Sequence, residues 1–214
     1  MSEPKTSRAL VIAVVALMLA MATGGWILGS ANPRSNLPSE ASPEAGFSRD
    51  MQTHHHQAVQ LSMIIRENST NPAVRSMAYD IALTQQQQSG QMFAWLETWG
   101  LAQTGESMTW MSDLLNEDAS HAGHGSVAPG EPQTMASMGM ASEADIQKLT
   151  AARGETADRQ FLTLMIAHHK GGVEMAEAYL QRGDNAMVAA FATKITKTQE
   201  AEIAALNQLL SQLS

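Results

Sequence analysis

The sequence predicts an all-α protein, in which two copies of a helical hairpin form a four-helix bundle behind an N-terminal membrane helix. Three observations predict it. A Met-x-x-His-His unit occurs twice, as Met51, His54, His55 and as Met165, His168, His169, in segments that align without a gap. Phe47 aligns with Phe161, an offset of 161 − 47 = 114 residues, which also pairs Asn71 with Asn185, Gln85 with Gln199 and Leu96 with Leu210. Such self-similarity marks one supersecondary unit used twice. Within a copy, inward residues recur at spacings of three and four, as in Ile81, Gln85, Gln88, Met92, Trp95 and Leu96, the stripe of an amphipathic helix. Finally, 15 Met against 5% aromatic residues suits closely packed helices, where Met is a flexible filler.

The elements follow in order. Lys5 and Arg8 precede an uncharged apolar run from Ala9 to Leu28, which as a helix of about 1.5 Å per residue would span a bilayer core of roughly 30 Å. The basic flank keeps the N-terminus cytoplasmic and puts the rest outside. Gly29-Ser30-Ala31 would also suit a signal peptidase. Residues 1–31 therefore read as a single-pass membrane anchor, or as a signal whose cleavage would leave a secreted or periplasmic protein. Residues 32–46, with Pro33, Pro38 and Pro43, read as a flexible linker.

Repeat one, 47–99, begins with a His-bearing helix capped by Ser48 and running to about Glu67. Asn68-Ser69-Thr70-Asn71 breaks it, and Pro72 suits the first turn of a second helix that ends at Gly100. Residues 100–155 form a Met/His-rich insertion, with a short helix around 108–115 and another from Ser142 to Ala152. Structureless stretches of this length are uncommon inside compact domains. Repeat two, 156–213, holds a second His-bearing helix to Gln181, a turn at Arg182-Gly183-Asp184-Asn185 and a last helix ending near Leu213.

Several function classes are disfavoured at once. No cysteine is present, so there is neither a disulfide framework nor a thiolate metal site. A net charge of −8 argues against nucleic acid. Between Arg75 and Lys148 there is no Lys or Arg but nine Asp and Glu, a surface that attracts cations. Nothing resembles a nucleophile triad, a phosphate-cradling loop or a paired acid and base.

The chemistry lies on the repeated helices. Rotation by about 100° per residue puts positions three, four, seven and ten or eleven apart on one face. Met165, His168, His169, Gly172, Met175 and Ala176 share such a face, matched by Met51, His54, His55, Ala58, Leu61 and Ser62. His56 and Lys170 fall opposite, toward solvent. Four inward histidines would need several hydrogen-bond partners that these faces do not offer, which points to a metal ion. Thioether plus imidazole suits Cu(I), and imidazole also tolerates Cu(II). Iron is weakened because Met51 and Met165 occupy the place of the carboxylate in a Glu-x-x-His pair. A second candidate cluster lies in the insertion: His121, His124, Met135, Met138 and Met140, with Met108 and Met111 upstream.

Asp50-Met-x-x-His-His-x-Gln-Ala-Val59 and Phe161-Leu-x-x-Met-Ile-x-His-His-x-x-Gly-Val-x-Met-Ala176 resemble the paired signatures of the domain of unknown function 305 family, over about Phe47 to Leu210. The resemblance implies a ferritin-like fold, export or membrane tethering, and copper binding in support of copper storage, delivery or tolerance. It implies Met51, His54, His55, Met165, His168, His169 and Met175 as ligands. Leu61 and Gln88 depart from it, standing where the family often has Met and Glu. The rival readings are a metal-dependent redox enzyme and a metal-free structural module of the cell envelope. A homo-oligomer, with half-sites meeting across two chains, stays open.

Overall fold

Proline opens both helices of the first hairpin. In the computed structural model, which describes residues 37–111 and 134–213, Ser42 caps helix α1 (Pro43–Asn68), its hydroxyl accepting from the Ala45 amide at 3.3 Å. Asn71 caps α2 (Pro72–Trp99), accepting from Ala73 and Val74. Pro43 and Pro72 occupy first-turn positions whose amides have no intrahelical acceptor in any case. Gly100, at φ 71°, closes α2 with its amide on the Leu96 and Glu97 carbonyls, a left-handed cap that glycine adopts without a Cβ penalty. The insertion contributes α3 (Glu143–Ala151), capped by Ser142. The second hairpin is α4 (Gly154–Leu180) and α5 (Ala186–Gln212), where Asn185 repeats the cap of Asn71 on Met187 and Val188.

The described residues contain five helices and no strand. The chain divides at Leu37, and the unit described here runs from Pro38. Each hairpin packs tightly on itself, and the two meet mainly along α1 and α4, with α3 laid against both. Helices α2 and α5 touch only slightly. The core falls into two apolar clusters, one around Phe47, Met51, Leu96 and Tyr179, the other around Leu61, Ile65, Phe161 and Met165. Along α1 and along α4, the histidine pair lies between them.

Two expectations change. Helix α1 starts five residues before the expected Ser48 cap (43 against 48), inside the expected linker. The early start has a partner: the Glu44 carboxylate accepts from Tyr179 hydroxyl and from the Asp184 and Asn185 amides at 3.1–3.3 Å, tying α1 to the turn of the second hairpin. The expected helix at 108–115 is a short 3₁₀ turn at residues 109–111, and residues 112–115 lie outside the described residues. So do the expected anchor at 1–31, His121 and His124. Among the described residues no helix is long and apolar enough to cross a membrane.

Candidate metal centre

Inward facing follows from helical spacing, and all four predicted histidines are fully buried: His54 and His55 on α1, His168 and His169 on α4. His56 and Lys170 are exposed, as their positions on the helices require. The repeat mates His54 and His168 stack across the α1–α4 seam with centroids 3.7 Å apart and planes tilted by 30°. His55 and His169 flank them, each 6.4 Å from its neighbour on the same helix. The two histidine pairs therefore meet within one chain.

The outer edge of three rings is tied down. His54 Nε2 donates to the Met138 carbonyl at 3.0 Å, His55 Nε2 to Gln88 Oε1 at 2.7 Å and His169 Nε2 to Glu202 Oε2 at 2.7 Å. A carbonyl or carboxylate oxygen only accepts, so each of these rings carries its proton on Nε2 and leaves the Nδ1 lone pair bare. All four Nδ1 atoms are buried without a partner, and His168 Nε2 is as well. An unpaired buried polar atom costs about 1–3 kcal/mol, and five imidazole nitrogens are left this way. Burial pushes His54 down to about 4, partly offset by its bond to Met138. Burial, and then the neighbouring His54, take His55 to about 3 and hold His168 well below its ordinary value. At neutral pH these three rings are neutral, the form that binds metal.

Next to the histidines lie two amides that sequence reasoning placed inward without assigning a role. Gln85 and Gln199, repeat mates, are buried with oxygen and nitrogen both unpartnered. A Cβ at Gly172 would overlap Gln199 Oε1, so the glycine is what lets that amide lie against α4. Among the described residues no three His, Cys, Asp or Glu side chains form a ready ligand set. The layer thus offers unpaired donors, imidazole above all, and such donors fit a copper ion.

The predicted thioethers divide. Met51 and Met175 are buried in one core cluster and Met165 in the other, on the opposite side of the histidines. Of the insertion residues, Met138 is fully buried and Met135 packs against the same cluster as Met51, while Met140 is partly exposed. Met138 is thus a core residue, with Met135 packed on the core's edge. Gln57 explains the return: its amide bonds both ways with Ala141, at 2.9 and 2.7 Å, and carries residues 138–141 across α1.

Three carboxylates, Glu44, Asp50 and Asp158, are buried in addition to the half-buried Glu202. Asp50, beside Met51, is a clamp. It accepts from Ser107 hydroxyl, the Met108 amide and Trp110 Nε1 at 2.8–2.9 Å. Asp50→Ala strands these donors, so a loss of roughly 3 kcal/mol is expected. Chemical denaturation should show it, and an unchanged midpoint would mean that the 107–110 segment is not held there.

The DUF305 profile, "Domain of unknown function", matches residues 44–210. A DUF305 crystal structure from Streptomyces coelicolor, provisionally described as a secreted protein, is 35% identical, with a TM-score of 0.69 over 82% of this chain and 96% of that one. A DUF305 fragment from Deinococcus radiodurans is also 35% identical, with a TM-score of 0.62 over 79% and 96%. CopM in its Cu(II)-bound form shares the fold at 22% identity and a TM-score of 0.56, over 81% of this chain and 98% of CopM. No curated protein matches the chain. The duplicated Met-x-x-His-His helices, their buried histidine layer and this extended match together place the chain in the DUF305 family.

Proposed function

We propose that this protein binds copper outside the cytoplasm, in a ferritin-like four-helix core, for storage, delivery or tolerance. The N-terminal segment would tether it to the membrane or be removed on export. The ion is held in the histidine layer by His54, His55, His168 and His169, with Met51, Met165 and Met175 as flanking thioethers. The observation that carries the reading is the set of four buried, unpaired Nδ1 atoms in one histidine layer, three of whose rings are tied through Nε2. The Cu(II), Cu(I) and Ag forms of CopM, a protein of the same fold, support a soft-metal ligand. Preference for Cu(I) follows from the thioethers, and the secreted relative supports the location.

The test is copper retention by the full-length protein after dialysis. Replacing all four histidines by leucine should reduce bound Cu(II) to background with the helical content kept. His168→Leu alone should also stabilise the metal-free protein by about 1 kcal/mol, since it removes two unpaired nitrogens. Wild-type levels of Cu(II) in the fourfold variant would overturn the reading.

A further inference from the structure

The duplication gives the protein's surface an internal control. The outer face of α2 exposes Tyr79, Leu83 and Phe93 to 45%, 54% and 49%, whereas their repeat mates on α5 are Thr193, Lys197 and Asn207. The fold therefore accepts polar residues at these positions, and its packing does not call for the apolar ones. Gly90 lies on the same stripe, exposed in mid-helix. It costs the helix about 1 kcal/mol relative to alanine. No atom lies within 4 Å of a Cβ placed there, so no contact inside the described chain requires a glycine.

The stripe also reads alike from both ends. Tyr79, Leu83, Gln86, Gly90, Phe93 and Glu97 fall in a band about 80° wide at about 100° per residue. They are equally spaced about position 88: Leu83 against Phe93, Gln86 against Gly90, Tyr79 against Glu97. That is what a two-fold contact needs, because its axis brings residue i to j and j to i. In an antiparallel crossing, Leu83 meets the partner's Phe93, and the flat spot at Gly90 receives the partner's Gln86. At each end the Tyr79 hydroxyl donates to the partner's Glu97. Arg66 supplies the complementary charge there: its guanidinium lies 4.7 Å over the Tyr79 ring, and its Nε is buried without a partner. Between Asp80 and Glu97 the helix carries no charge, so the net charge of −8 does not oppose contact along the centre.

We propose that this face of α2 docks a second copy of the same chain, the two helices crossing antiparallel at residue 88. The inference stands apart from the copper reading, since none of the six stripe residues belongs to the histidine layer. A membrane surface fits the stripe less well. Helices that lie on bilayers are rich in Lys and Arg on their polar face, and Arg75 is the one basic residue of α2. The contact strip, about 27 Å long and about 10 Å wide, is well under the roughly 800 Å² per partner of a stable interface. The dimer is therefore a weak, reversible one.

The chain has no cysteine, so single cysteines report the register. Full-length Gln86→Cys and Gly90→Cys proteins, mixed and then oxidised, should give several-fold more disulfide-linked dimer than either protein oxidised alone. Adding Leu83→Lys and Phe93→Asn, the residue types of the repeat mates, should reduce that yield to background with the helical content unchanged. Equal yields from the mixture and from the single variants would mean that no antiparallel pair forms at residue 88, and this overturns the proposal. So does a yield indifferent to the Leu83 and Phe93 changes, which would assign the association to another surface.

Discussion

Lowering the pH from about 7 to about 4.5 is expected to unfold the metal-free protein, and the cause is the buried histidine layer. An unfolded histidine titrates near 6.5. In the fold, burial depresses His54 to about 4, His55 to about 3 and His168 well below its ordinary value. Folding therefore excludes protons that the unfolded chain would bind. The stability is fully present above the unfolded value and is lost as pH falls toward the folded ones. Each ring contributes about 1.4 kcal/mol per pH unit in that window, so three together give about 4. A total stability of about 5–15 kcal/mol is exhausted within a few units. Urea midpoints measured across the range should fall steeply below pH 6.5, and His168→Leu should remove about a third of the slope. Equal midpoints at pH 7 and pH 5 would show that the rings are not buried neutral.

Gly139→Ala and Gly171→Ala are each expected to undock residues 138–141 from α1 and α4. The obstacle is backbone on both sides: the Ala167 carbonyl faces Gly139 and the Met138 carbonyl faces Gly171. Gly139 is in addition left-handed, at φ 71°. Undocking exposes Met138, worth roughly 2 kcal/mol. It also breaks the His54–Met138 and Gln57–Ala141 bonds, worth about 1 kcal/mol each. The freed loop regains entropy, so a net loss of roughly 3 kcal/mol is expected. Gly90 is the control. It is exposed in mid-helix with open space around it, and Gly90→Ala should stabilise by roughly 1 kcal/mol. Thermal unfolding of the three variants settles the matter, and a Gly171→Ala protein as stable as the wild type would refute the docking.

What was legible in the sequence was local or repeated. The breaks at Asn68–Asn71 and Arg182–Asn185 and the helix end at Gly100 were legible because turn and end signals act over a few residues; that Asn71 and Asn185 also cap the helices that follow was not read. The inward histidines were legible because a helix turns by a fixed angle. The start of α1 was missed: Ser42-Pro43, between Pro38 and the repeat, reads as linker until the acceptor role of Glu44 is seen. The Asp50 clamp and the return of Met138 escaped because their partners lie tens of residues away and leave no periodic trace. Gln85 was placed on the inward stripe and, like its repeat mate Gln199, left without a role, since only burial shows that their amides lack partners.

The hydrogen-bond partners of the outer histidines have a further consequence. His55 is tied to a neutral amide, Gln88, and its repeat mate His169 to a carboxylate, Glu202. At this position the two halves differ by one negative charge. With neutral imidazoles and thioethers around it, a monovalent cation in the layer would be balanced by that carboxylate. A divalent one would leave an uncompensated positive charge away from water, at a cost of several kcal/mol. On the copper reading proposed above, electroneutrality would favour Cu(I) over Cu(II) in this layer. Gln88, standing where its repeat mate is Glu202, leaves the outer histidines with one carboxylate partner instead of two.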